Sequence, residues 1–588
     1  MRHCNRRPPL PPFAAIAAVL PLVFGEAAVA QQALERNAPA PEQPSAAPVA
    51  IAAPDFGAAD TTPLGVALIG VRLIAADERV TDHRPDGVTL GAVGGVPKAD
   101  VEAALRPFLA RPLSRKLIAE MRTAVAGVWR EAGFPFVSVT VPPQEVTSGV
   151  VHLRVVEFRM GAVSVLGAED DIGAAMSAGL RVVRGERIDA ARLNEDLEWL
   201  NRVPYRRVEG VFAPGDETAT SDLTLKVTRI KPWQMYAGWS NTGTETTGRD
   251  RFFVGGGAWI VPLGDVTLTY QVTGSDDLRS PRKLFPDSGG FARYLSHAGR
   301  LVLATRPRQA IEFAPALVAT RETAGAFIAF ENQTVELPII YRSALSNIVP
   351  GLHAGNIYTG AEIKRLERTT FFNGMAAAKG RAEVFQFVLG WSHILFDDHG
   401  RTTFDIRLKH NPGGVMSDNS TAMWRAFSGG RVIDPVYTYG AFQIDRLTTL
   451  PGGFSWLSQL AGGLAEQPLP DTERITLGGL NAVRSHRLDD TSIDAGLIWR
   501  NDLRAPAMRA LGATTLADTL SPYLFIDAGH GVDRFTGGTT TLAGAGAGFD
   551  YDLGAHANLS FSAGRALRDG GRTDAGDWTV YGRITARY

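Results

Sequence analysis

The stretch ERITLGGLNAVRSHRLDDTSIDAG (Glu473–Gly496) gathers side chains and backbone able to do chemistry: the pair Gly478-Gly479, then Val483, Arg484, Ser485 and His486. Further along, YLFIDAGHG (Tyr523–Gly531) inserts Asp527 into an apolar run, between Phe525 and Gly529. Ser485, His486 and Asp527 could be taken for a hydrolase set, but no strand-turn-helix elbow surrounds the serine. The glycine pair could cradle phosphate, but no Lys-Ser/Thr follows it. The eleven histidines show no metal-ligand spacing. No catalytic residue, cofactor or metal is therefore expected. What remains is Arg484 with Asp527, which can form a two-pronged ion pair. If the pair is desolvated, removing one partner costs about 3–5 kcal/mol; in a wide, wet space it is worth far less. The residues alone leave open a second reading, a solvated loop arginine and an ordinary inward-facing aspartate.

The elements that position these residues are strands. The chain closes on DWTVYGRITARY, where Trp578, Val580, Ile584, Ala586 and Tyr588 alternate with Thr579, Tyr581, Arg583, Thr585 and Arg587. That is the period-2 pattern of a strand with one apolar and one polar face. The pattern recurs from Lys231 onward, as in DVTLTYQVT (Val266, Leu268, Tyr270, Val272 against Thr267, Thr269, Gln271) and TFDIRLKH (Phe404, Ile406, Leu408 against Asp405, Arg407, Lys409). Clusters such as FDDHGR and TLPGG separate the runs. A soluble sandwich alternates in the same way. Allowing about 22 residues per strand and connection, however, this region holds roughly 16 strands, an even number normal for a bacterial membrane barrel. Arg407 and Lys409 would then face the lumen, because a charge on the lipid face costs about 2–4 kcal/mol near the midplane. The terminal strand is expected to close onto the first and leave no open edge.

The remaining sequence suits that architecture. A formal net charge of −1 removes any global basic field that would suggest nucleic acid. Residues 1–30 read as an export signal: Arg2, Arg6 and Arg7, an apolar stretch broken by Pro11, Pro12 and Pro21, and a small-residue finish at Ala28-Val29-Ala30. Its cleavage would remove Cys4, the single cysteine. Residues 31–63 are an Ala/Pro-rich linker in which QQALERN could form a short helix. From Leu64 to Ile230 a β-α-α-β-β order occurs twice. The helix SRKLIAEMRTAVAGVWREAGF lines up Leu117, Met121, Val125 and Val128 or Trp129, and Gly133 stands at its stop. Two small α+β domains, 64–159 and 160–230, are expected ahead of a barrel at 231–588; one larger domain is the alternative.

With these residues in view, the chain resembles the outer-membrane transporters of two-partner secretion, the TpsB group typified by FhaC and ShlB, related to BamA-type assembly proteins. VPPQEVTSGVVHLRVVEF is similar to the end of the family's first small domain, and LNRVPYRRVEGVFAPG with SDLTLKV to the end of its second. WQMYAGWSNTGTETTG, with Asn241, Gly243 and Gly248, resembles the start of the barrel; LGGLNAVRSHRLDD resembles the inward loop and FIDAG its partner strand. The resemblance implies a fold of two α+β POTRA domains followed by a transmembrane β-barrel of about 16 antiparallel strands. It implies a function: capturing an unfolded partner exoprotein (TpsA) in the periplasm and exporting it without ATP. The pore would be plugged by an amino-terminal helix and by the inward loop, with Arg484 as lid arginine and Asp527 as its wall partner. Outer-membrane lipid and lipopolysaccharide, the barrel assembly machinery and periplasmic chaperones are implied as further partners. The family's loop tip usually reads Val-Arg-Gly-aromatic, whereas this one reads Val483-Arg484-Ser485-His486. Glycine tolerates positive φ and serine does not, so a different turn is expected, with His486 replacing an aromatic contact by a hydrogen bond. The rival functions are a BamA/TamA-like insertase and an exported carbohydrate-binding or hydrolytic β protein.

Overall fold

The computed structural model describes residues 60–588 apart from 82–85, 135, 218, 230, 261–263, 279–280, 286–291, 325–326 and 513–516. The expected export signal and the short helix at 31–37 lie outside the described residues. The chain divides into two compact units, the second of which begins at Lys231.

The amino-terminal unit contains two sheets with a core each. In the first, β1 (Gly70–Ile74), β2 (Gly87–Leu90), α1 (Lys98–Leu105), α2 (Arg115–Glu131), β3 (Val137–Thr140) and β4 (Val150–Glu157) give a sheet ordered β2-β1-β4-β3. Ser114 caps α2 through its hydroxyl, which accepts the Leu117 N–H. The helix buries Leu117, Met121, Val125, Ala126 and Trp129, so the tryptophan, not Val128, completes the stripe. Gly133 takes φ +89° where the chain leaves the helix. β2 is an addition to the expected β-α-α-β-β order. Its short run GVTL pairs in parallel with β1 and is stapled by Glu78, which accepts from Arg72 and from the backbone N–H groups of Ala75 and Ala92. The Pro142-Pro143-Gln144 turn has a direct role: Gln144 accepts the His152 N–H and donates to the His152 carbonyl, both at 2.7 Å. One side chain thereby holds β4 in register as a strand neighbour would.

In the second half, β5 (Arg159–Leu166), α3 (Asp170–Gly179), α4 (Ala190–Leu200), β6 (Arg206–Pro214) and β7 (Thr220–Arg229) form a sheet ordered β5-β7-β6. Asn201 of the Asn-x-x-Pro step is buried. It donates to the carbonyls of Leu197 and Val208 and accepts the Val208 N–H at 2.7 Å, joining the end of α4 to β6.

The second unit is a closed antiparallel barrel. Its strands, counted in order, are Trp233–Ser240, Arg251–Ile260, Val266–Gly274, Tyr294–Arg306, the interrupted Gln309–Phe313 and Ala316–Ala324, Ile328–Ala344, Asn356–Phe372 and Met375–Asp397. The ninth to sixteenth are Gly400–Asn411, Tyr437–Thr449, Ser455–Ala465, Ala495–Arg504, Asp518–Val532, Thr539–Leu553, Ala557–Ala566 and Trp578–Arg587. The fifth counts as one strand because both of its segments pair with the same two neighbours around Ala314-Pro315. Proline has no N–H for the ladder, which accounts for the break.

Alternation then assigns the faces. Leu268, Tyr270, Ile406, Leu408, Val580 and Ile584 are exposed on the outside, while Gln271, Thr273, Lys409, Tyr581 and Thr585 are buried within. An apolar exterior around a polar interior is the transmembrane arrangement. Lys409 points inward as expected, but into a packed ionic cluster and not into free water. The sixteenth strand pairs with the first, from Arg583 opposite Ser240 to Arg587 opposite Tyr236, and no edge is left.

Candidate gate in the barrel interior

The connection between the eleventh and twelfth strands, residues 466–494, folds into the barrel. A two-residue ladder, Ile475–Thr476 with Ser492–Ile493, closes its neck. Beyond the neck Leu477, Ala482 and Val483 form a small apolar cluster with Ile475, Ile493, Ile498 and Leu542. The glycine pair makes this compactness possible: a Cβ at Gly478 would stand 2.0 Å from the Arg487 carbonyl oxygen, and Gly479 has φ +100°. Gly529 does the same on the wall, where a Cβ would press on Val483 and Leu477 at 3.1 and 3.2 Å.

Arg484 is carried from this cluster to the wall. Its Nε donates to Asp527 Oδ2 at 2.8 Å and its Nη2 to Asp527 Oδ1 at 2.7 Å, while its backbone N–H also reaches Asp527 Oδ2 at 3.1 Å. Nη2 makes a further bond to Asp502 Oδ1 at 2.6 Å. The guanidinium carbon lies 3.9 Å from the centroid of the Phe525 ring, a favourable stacking for a desolvated cation. Arg484 is 2% exposed and Asp527 0%. The bond is therefore in the dry regime, where loss of one partner costs about 3–5 kcal/mol.

Asp502 is the partner that sequence reading missed. It sits on the twelfth strand opposite Phe525 and is braced by Arg504 at 3.2 Å. The usable signal was parity: Ile498, Arg500, Asp502 and Arg504 share the inward face of LIWRNDLR.

At the tip, Ser485 and His486 are fully buried. Ser485 stays outside the positive-φ region, so the turn is made without the left-handed residue a glycine would supply. His486 bonds through Nδ1 to Ser485 Oγ at 2.9 Å and through Nε2 to the Arg568 carbonyl at 3.0 Å. Thr579 donates to the Ser485 carbonyl and Tyr581 to the His486 carbonyl. The sixteenth strand thus clasps the tip, and the His486 ring is held by hydrogen bonds at both of its nitrogens. The loop's return is fixed by Asp494, which accepts from Arg431 at 2.6 and 2.8 Å and from the Leu469 N–H.

The residues at the start of the barrel lie elsewhere, on the seam. The Asn241 side chain donates to the Val580 carbonyl at 2.9 Å and accepts the Gly582 N–H at 2.7 Å, extending the closing ladder past its last strand pair. Gly243 and Gly248 shape the first turn: a Cβ on Gly243 would collide with the Gly248 carbonyl and Arg251, and Gly248 has φ +82°. Glu245 in that turn pairs with Arg487 of the inward loop at 2.7 Å. Tyr588 ends the seam at the other rim, in backbone exchange with Met235 and with the Lys231 ammonium 3.9 Å from its ring centroid.

A closed barrel with an apolar exterior, a charged interior occupied by one of its own loops, and two preceding α+β domains defines an outer-membrane pore of the POTRA-barrel class. Comparison with known proteins specifies which. Residues 354–551 match the family described as haemolysin secretion/activation protein ShlB/FhaC/HecB, and residues 83–157 match the ShlB-type POTRA domain. The outer membrane transporter CdiB-2 of Burkholderia pseudomallei is 24% identical over 70% of this chain and 67% of its own. CdiB of Dickeya dadantii is 21% identical over 73% of each. Among solved structures, CdiB from Escherichia coli is similar with a TM-score of 0.63 at 17% identity, over 92% of this chain and 94% of that one. CdiB from Acinetobacter baumannii gives 0.54 at 14% identity, over 89% and 90%. The chain carries a barrel segment of ShlB/FhaC/HecB type and a POTRA domain of ShlB type: it is a two-partner secretion transporter of the outer membrane, with periplasmic POTRA domains and a pore that exports a partner protein.

Proposed function

We propose that the loop 466–494 is the lid of the export pore and that the Arg484 grip on Asp527 and Asp502 holds the pore closed until the exoprotein arrives. The observation that carries this reading is the complete burial of that ion triad inside the barrel. A solvated loop arginine would not be dry, doubly paired and stacked. Gly478, Gly479, Val483 and Gly529 then serve to fold the loop tightly enough to fit; Ser485 and His486 seat its tip. Asn241, Gly243, Gly248 and Tyr588 serve the seam.

The two small sheets end on β2 and β3, and on β5 and β6. An extended segment of the exoprotein adds to one of these edges by main-chain pairing, a mode that accepts many sequences. No nucleotide-binding loop is apparent in the sequence, and folding of the cargo outside biases its movement outward. Lipopolysaccharide bathes the outer rim, and the barrel assembly machinery with periplasmic chaperones brings the chain to its membrane.

The test is Arg484→Ala in planar bilayers. The resting current is expected to rise and secretion of the partner to fall. Wild-type current with full secretion would remove the lid from the mechanism.

A further inference from the structure

The inward loop is held a second time, on a different part of the wall. Glu473, on the limb that enters the barrel, is 2% exposed. Its Oε1 takes the Lys364 ammonium at 2.5 Å, and its Oε2 accepts from Tyr439 Oη at 2.6 Å and from Gln386 Nε2 at 3.0 Å, with Lys409 Nζ at 3.7 Å. These four partners lie on the seventh, tenth, eighth and ninth strands respectively. Arg484 grips the twelfth and thirteenth strands, and the tip rests on the sixteenth. The loop therefore bridges two separate arcs of the wall.

The charge balance of the Glu473 site is informative. Lys409 also bonds Glu362 at 2.9 Å, and Lys364 lies 3.4 Å from Glu362 and 3.8 Å from Glu336. The two wall ammonium groups are thus already matched by two wall carboxylates. Glu473 arrives as an additional anion at a set that is neutral without it. When an ordinary buried pair breaks, one charge is stranded, and that is what makes the break costly. Here both lysines keep a wall partner, and Gln386 keeps its 2.6 Å bond to Glu362. The contact is built to detach.

We propose that Glu473 is a second, detachable anchor of the lid: a positioning residue that keeps the loop against strands seven to ten after Arg484 has let go. Full opening of the pore then requires both contacts to break. This rests on reading the loop as a lid, and the experiment separates the two.

Full-length protein is recorded in planar bilayers as Arg484→Ala, Glu473→Gln, the double variant, and Lys364→Gln with Arg484→Ala. Glu473→Gln keeps the side chain's shape and removes only its charge. Arg484→Ala alone should open the pore partially, and the double variant should raise the open fraction about tenfold beyond it, more than the two single effects combined. Lys364→Gln should act in the same direction on the Arg484→Ala background, which a merely local packing defect at Glu473 would not do. A double variant that behaves like Arg484→Ala alone overturns the second anchor and leaves the lid standing. If the double variant and Arg484→Ala both retain wild-type current, the lid reading fails and the anchor with it. Heat-modifiable migration on gels verifies that each barrel has folded. Should Glu473→Gln fail that check, Lys409→Gln on the Arg484→Ala background decides in its place, with the same two outcomes.

Discussion

Ser485 packs directly on Gly544 of the fourteenth strand, where a β-carbon would stand 1.7 Å from the serine hydroxyl oxygen. Gly564 on the fifteenth strand leaves a similar space, with a β-carbon there 3.1 Å from Ser485 Cα. Two wall glycines on neighbouring strands form the slot into which the tip of the inward loop fits, and neither belongs to the loop.

Gly544→Ala should therefore act on the gate from the wall. Overfilling a packed site costs about 1–3 kcal/mol, and the loop tip is the part free to yield. Resting conductance is expected to rise while heat-modifiable migration stays as in the wild type. Adding Ser485→Gly should return the current toward its resting value, because it removes the colliding hydroxymethyl group. Bilayer recordings of the single and double variants check both statements.

The seam should depend on Asn241. Its side chain supplies both a donor and an acceptor to the last strand, at Val580 and Gly582. Asn241→Ala removes both bonds, at about 0.5–1.5 kcal/mol each. The folded band on an unboiled gel should convert to the unfolded form at a lower temperature than in the wild type. Asn241→Asp, which keeps the acceptor and loses the donor, should fall between the two.

In the second small domain Asn201 is the vulnerable residue. Asn201→Ala leaves the Val208 N–H and carbonyl without their partner in a buried place, at about 1–3 kcal/mol for each group. Hydrogen exchange across α4 and β6 should accelerate and secretion should drop, while the barrel's heat-modifiability is untouched. Unchanged protection in these two elements would contradict the assigned role.

Acid should loosen the edge strand β2. The hydrogen bond from Arg72, reinforced by the Ala92 and Ala75 N–H groups against the cost of burial, holds the Glu78 carboxyl below its ordinary range. A carboxylate with a lowered folded-state pKa contributes its stabilisation above the unfolded value of about 4.3, and that contribution is lost as pH falls toward the folded value. Protection factors for residues 87–92 should fall as the pH drops below about 4. Glu78→Gln should show the reduced protection already at neutral pH and little further change on acidification.

The amino-acid sequence by itself determined the parts of this protein that repeat or act locally. Alternation at period 2 assigned Leu408 to the lipid and Lys409 to the interior, because a strand has only two faces and a charge is costly on one of them. Gly133 marked the end of a helix by its own conformational chemistry. The resemblance carried by LGGLNAVRSHRLDD and FIDAG brought Arg484 to Asp527, and the structure places the two in contact. Asp502, by contrast, has no neighbouring motif, and its carboxylate reaches Arg484 only because the twelfth strand lies beside the thirteenth. Glu473 meets Lys364 across 109 positions of the chain, and Gly544 meets Ser485 only when the loop is folded inward. β2 escaped detection because four residues are too few to establish a period. Those relationships were settled by closure of the barrel: once the sixteenth strand pairs with the first, the inward faces of distant strands share one confined, poorly solvated space. Which charges and which glycines meet there follows from strand register and not from any local pattern.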